Sequence, residues 1–130
     1  MKLLLAFLIS MLPLAASAQT KADYENTMQK FQHFYNNKQS DSLCKLFPPN
    51  YPRENTCFFP PGMLDTIMNK FGRMLSYKYI ATDKNGSAYF KTVYTRSTQM
   101  TSLFLNNENK LKTVRLTNHS PYTDSLLLKH

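Results

Sequence analysis

The stretch from Phe31 to Phe47, FQHFYNNKQSDSLCKLF, constrains this chain more than any other. Tyr24, Met28, Phe31 and Tyr35 recur at i, i+4, i+7 and i+11, which is one face of an α-helix. Asn36 to Gln39 reads as a polar turn. Leu43, Leu46 and Phe47 then form the apolar face of a short second helix, with Ser40 or Asp41 as its cap and Pro48-Pro49 as its end. Helices this short are not stable alone in water, so both stripes must be buried against something later in the chain.

The segment from Pro48 to Pro61 carries five prolines and the aromatic residues Tyr51, Phe58 and Phe59. Missing backbone donors and fixed φ angles exclude a helix there, so an extended loop held by buried aromatics is expected. Met63, Leu64, Ile67, Met68 and Phe71 give a third helix, about Gly62 to Phe71, ended by Gly72 as a left-handed C′ residue. From Met74 the pattern changes to strands: Leu75 to Thr82, the turn Asp83-Lys84-Asn85-Gly86, and Ser87 to Thr95. Arg96 to Gln99 connects to a third strand from Met100 to Leu105. After the turn Asn106 to Asn109, a fourth runs from Leu111 to Thr117. Three N-terminal helices packed on an antiparallel sheet of about four strands is an α+β plan in which the sheet covers the helical stripes.

Residues 1–18 read as a cleavable export leader: Met1-Lys2, an apolar run to Leu14, and Ala16-Ser17-Ala18 before the cut. The domain then spans 19–117, followed by a tail at 118–130, and the product is expected to be exported, soluble and without a membrane span. The net charge of the whole chain is +8. Its excess lies in the second half, where residues 70–130 hold ten basic side chains against three acidic ones. Lys78, Lys91 and Arg115, one on each of three strands, are the candidates for an anionic partner, or else guard exposed strands against aggregation. With export comes an oxidising compartment, and the even cysteine count points to a Cys44–Cys57 disulfide that pins the Pro-rich loop to the second helix.

The order of elements resembles the nuclear transport factor 2-like, or cystatin-like, superfamily, and in particular its small exported bacterial domains of unknown function. The matching pieces are Asp41-Ser42-Leu43-Cys44-Lys45-Leu46-Phe47 after the polar turn, Phe71-Gly72 entering the first strand, Tyr89-Phe90-Lys91-Thr92, and Leu105-Asn106-Asn107-Glu108-Asn109-Lys110-Leu111. The resemblance covers about residues 22–117. It implies helices seated in the hollow of a curved sheet, and, in the enzymes of the superfamily, a carboxylate base inside that hollow.

None of the eight acidic residues falls in an expected strand, which leaves Asp65, Glu54 or His33 as the base of an acid–base enzyme. The cysteines and histidines make no metal pattern, the three glycines are too far apart for a phosphate loop, and no cofactor is expected. Nucleic acid is not an expected partner. What the sequence offers instead is aromatic: Tyr77, Tyr79, Tyr89, Phe90 and Tyr94 on the first two strands, with Phe58 from the loop, as the lining of a hollow for a small apolar ligand or a segment of an exported partner. The alternatives are a small-substrate isomerase or hydrolase, and a protein-interaction or inhibitor module that uses the basic sheet. Monomer and dimer are both compatible with the sequence.

Overall fold

The computed structural model describes residues 19–49 and 59–117. Helix α1 spans Lys21–Asn36, α2 Ser40–Cys44 and α3 Pro61–Phe71; strands β1 (Met74–Thr82), β2 (Ser87–Tyr94), β3 (Thr98–Leu105) and β4 (Leu111–Thr117) follow. The strands pair in sequence order as an open antiparallel sheet, so the fold is α+β. The third helix stands mid-chain, not at the N-terminus.

Helix α1 begins with a reciprocal cap: the Thr20 hydroxyl accepts from the Asp23 N–H, and the Asp23 carboxylate accepts from the Thr20 N–H at 2.8 Å. Its stripe of Tyr24, Met28, Phe31 and Tyr35 is wholly buried, as the spacing requires. Lys38 closes the turn at a φ of 53°. Helix α2 departs from expectation at both ends. Gln39 occupies the cap position without a side-chain bond, and neither Ser40 nor Asp41 caps the helix. The Ser40 hydroxyl instead donates to the Phe59 carbonyl at 2.6 Å, since Ser40 already lies inside the helix. The helix stops at Cys44, so Leu46 and Phe47 follow it as turn residues, yet both pack on the core.

Helix α3 buries only Leu64 fully; Ile67, Met68 and Phe71 are half-buried against the core, and Met63 is exposed. Gly72 ends it with φ 81° and ψ −161°, a positive φ but not the left-handed helical conformation expected. Glycine is required there twice over, since a Cβ would also overlap the Thr95 hydroxyl. Strand β3 begins at Thr98, two residues before the expected Met100.

The core is aromatic. Phe31 stacks on Tyr35 and meets Phe59 edge-on, while Phe90, Leu43, Leu103 and Leu111 fill the space between helices and sheet. Each such side chain contributes roughly 1.5–3 kcal/mol by burial alone. Of the loop aromatics, Phe59 is buried as expected, whereas Tyr51 and Phe58 lie outside the described residues.

Candidate functional site

Strand alternation decides where the candidate aromatics go. On β2, Ala88, Phe90, Thr92 and Tyr94 are buried toward the helices. Tyr77 and Tyr79 on β1 are half-buried and meet the Phe90 ring edge-on, with centroids 6.0 and 5.6 Å away. Tyr89 does not join them. Adjacent residues of a strand face opposite ways, so Tyr89 stands on the outer side, where its hydroxyl donates to the Asp83 carboxylate at 3.2 Å. Phe58 lies outside the described residues. Thus Tyr77, Tyr79, Phe90 and Tyr94 share the inner face, which is largely filled by core side chains.

The inner face opens at one end. A cleft of about 560 Å3 lies between Lys70 and Phe71 at the end of α3, Arg96 and Ser97 in the β2–β3 turn, Gln99 on β3, and Leu116 and Thr117 on β4. The corner is held rigidly: Thr95 and Arg96 donate their N–H groups to the Arg73 and Phe71 carbonyls at 2.9 Å each, and the Arg96 guanidinium donates to the Asn69 carbonyl. Of the cleft residues, Gln99 is joined to buried polar groups, Thr92 and Thr101, that do not themselves line the cleft. The Thr92 hydroxyl bonds to the Gln99 carbonyl at 3.0 Å and lies 2.8 Å from that of Thr101.

Tyr94 sits beside this pair, between Phe71 and Tyr35, with ring centroids 5.6 and 5.7 Å away. Its hydroxyl is buried and reaches hydrogen-bond geometry with no partner among the described residues. Burial pushes its pKa up, and weak hydrogen bonding with the Thr101 and Thr92 hydroxyls, outside good geometry, offsets that in part. Two other buried tyrosines show the contrast. Tyr35 donates to the Gly72 carbonyl at 2.7 Å, and Tyr24 donates to the Gly86 carbonyl. A buried hydroxyl left unmet costs about 1–3 kcal/mol, so Tyr94 calls for an explanation.

The acid–base candidates are elsewhere. Asp65 is exposed on α3 and pairs with Lys38 at 3.7 Å. His33 is exposed on α1, against the Phe34 ring and the Asn37 amide. Glu54 lies outside the described residues. Among the described residues no group of histidine, cysteine and carboxylate side chains could hold a metal ion, and no helix is long and apolar enough to cross a membrane.

Lys78, Lys91 and Arg115 share the outer face, but only the two lysines are neighbours. Lys78 pairs with Lys91 across β1 and β2, and Arg115 pairs with Ser102 across β3 and β4. Cys44 has its Sγ 3.8 Å from the Phe59 carbonyl oxygen; Cys57 lies outside the described residues. The residues that sequence reasoning missed are Lys70, Arg96, Ser97, Gln99, Thr92 and Thr101. The one available signal was the run Phe90-Lys91-Thr92-Val93-Tyr94, whose alternation puts a threonine between two aromatics on the buried face. Comparison with protein-family models, curated proteins and solved structures returns no match for this chain.

Proposed function

We propose that this is an exported, non-enzymatic binding domain of the nuclear transport factor 2-like class that holds a small organic acid in the cleft at the open end of its sheet. The observation that carries the reading is the buried Tyr94 hydroxyl, which makes no well-formed hydrogen bond among the described residues although the Thr92 and Thr101 hydroxyls lie close to it. An empty protein gains nothing from it, whereas a ligand or ordered water reaching that depth would complete it. The walls of the cleft specify the rest. Lys70 and Arg96 favour a carboxylate, Phe71 and Leu116 favour an apolar body, and among the described residues no acidic side chain lines the space. A catalytic role gains no support, because Asp65 and His33 both face solvent.

Titrating the 15N-labelled protein with sodium benzoate tests this. Amide shifts confined to Lys70 and Phe71, Arg96 to Gln99, and Leu116 and Thr117 are expected, with benzyl alcohol at least about tenfold weaker and Lys70→Gln/Arg96→Gln weakening benzoate by a similar factor. No shift at those amides up to about 10 mM benzoate would remove the reading.

The Cys44–Cys57 disulfide belongs to the same proposal, as the pin of the loop that delivers Phe59 to the core. In the sequence only Phe58 separates Cys57 from Phe59, and the Phe59 carbonyl oxygen lies 3.8 Å from the Cys44 Sγ. Denaturing thiol titration should find no free thiol in exported material; two would contradict the pairing.

A further inference from the structure

The outer face of the sheet is a separate surface with its own chemistry. Register places its side chains in rows across the strands. One row is Lys78, Lys91, Met100 and Thr117; the next is Ala81, Tyr89, Ser102 and Arg115; a third is Ser87, Phe104 and Thr113. The Lys112 ammonium stands 5.9 Å from the centre of the Phe104 ring, which adds a fourth cation to the same side. Among the described residues, none of β1 to β4 carries an aspartate or glutamate. The nearest carboxylate in the flanking turn, Asp83, is already committed to the N–H groups of Asn85 and Ser87 and to the Tyr89 hydroxyl.

Lys78 and Lys91 are the informative pair. They are direct cross-strand partners on strands about 4.8 Å apart, and like charges in that position destabilise a sheet. Lysines that only guard edges do not need to be opposed in this way, since β2 is an interior strand of the sheet. A juxtaposition that costs stability in the free protein is relieved when an anion lies across it.

We infer that this face binds an acidic polysaccharide, its carboxylate or sulfate groups against Lys78, Lys91, Lys112 and Arg115 and its sugar rings against Tyr89 and Phe104. Three features select a glycan over other polyanions. The face is an open sheet and not a groove that would follow a nucleic-acid strand. Its cations stand among the rings of Tyr89 and Phe104, which offer flat apolar surface for the faces of sugar rings. The large exposed apolar side chains among the described residues, Met63 and Leu75, lie in neither row with the cations, so there is nothing beside them to insert into a lipid surface.

The test is retention of the full chain on immobilised heparin in a salt gradient. Elution should require added salt, and Lys78→Glu/Lys91→Glu/Arg115→Glu should lower affinity by about tenfold or more. The control Lys30→Glu/Lys38→Glu/Lys45→Glu, with the same change in net charge on the helical side, should elute close to the unmodified protein. Equal loss in both triples would overturn the assignment of the face. The single change Lys78→Glu supplies a signature that misfolding cannot mimic, since it turns a like-charged cross-strand pair into an opposite one. Melting temperature should rise by a few degrees while heparin elution moves to lower salt. A fall in both would contradict the inference. Tighter binding to phosphatidylglycerol vesicles or to oligo-dT than to heparin, lost on the same triple substitution, would overturn the glycan in favour of that partner.

Discussion

The two ends of the sheet are built from similar parts and finished differently. At the hairpin end, Asp83 Oδ1 accepts the N–H groups of Asn85 and Ser87, and Asn106 Oδ1 accepts those of Glu108 and Lys110. The two loops are near copies: each closes with paired main-chain bonds, and each places its fourth residue, Gly86 or Asn109, at positive φ. The Tyr24 hydroxyl is met there by a glycine carbonyl. At the other end Tyr35 is met in the same way by Gly72, but its neighbour Tyr94 is not, although the two rings touch. The two ends thus differ in how completely their buried tyrosines are met: Tyr24 and Tyr35 have carbonyl partners, and Tyr94 has none of good geometry among the described residues.

The contrast makes the cleft end the less forgiving of the two. Gly72→Ala must both adopt a φ of 81° and displace the Thr95 side chain, so a loss of at least about 3 kcal/mol in urea unfolding is expected. Gly86→Ala meets only the edge of the Phe104 ring at 3.2 Å and should cost about 1 kcal/mol more gently placed strain. Equal losses would mean that the corner at Gly72 is not the tight point described. Tyr35→Phe leaves the Gly72 carbonyl without its donor, and a loss of about 1–3 kcal/mol should follow.

The hairpin end differs within itself in charge. Hydrogen bonds, the largest effect coming from the Ser87 N–H, followed by those of Asn85 and the Tyr89 hydroxyl, hold the Asp83 carboxyl below the usual range, whereas Asn106 does the same work uncharged. Because the folded pKa is the lower one, Asp83 stabilises the fold fully above the ordinary carboxylate value near ~4 and loses that contribution as pH falls through its depressed folded value. Asp83→Asn should flatten this part of the acid dependence and leave stability at pH 7 nearly unchanged, as the twin loop implies. Acid melting curves of the two proteins that superimpose at every pH would show that the carboxylate charge plays no part.

Much of this could be read from the chain because it is local. The α1 stripe and β4, whose observed bounds are the expected ones, each declare themselves by periodicity next to a clear turn signal. Grouping Tyr89 with Phe90 in one lining is wrong, since adjacent strand residues cannot share a side. The start of β3 was not legible, because Thr98 and Gln99 are polar residues that look like a connection, and Gln99 is buried only through its pairing with Thr92. The same applies to the Thr92–Thr101 hydroxyl pair and to the cleft. They arise from the register of β2 on β3 and from a helix thirty residues upstream in the chain's folding back, neither of which a spacing rule reports.

The most direct test of the central claim is the unfolding free energy of Tyr94→Phe, measured with and without benzoate. If the hydroxyl is unmet in the empty protein and serves a ligand, the substitution leaves the free protein as stable or more so, and benzoate stabilises it less than it stabilises the unmodified protein. A loss of stability in the absence of benzoate, like that expected for Tyr35→Phe, would show that Tyr94 already has its partner and would contradict the account.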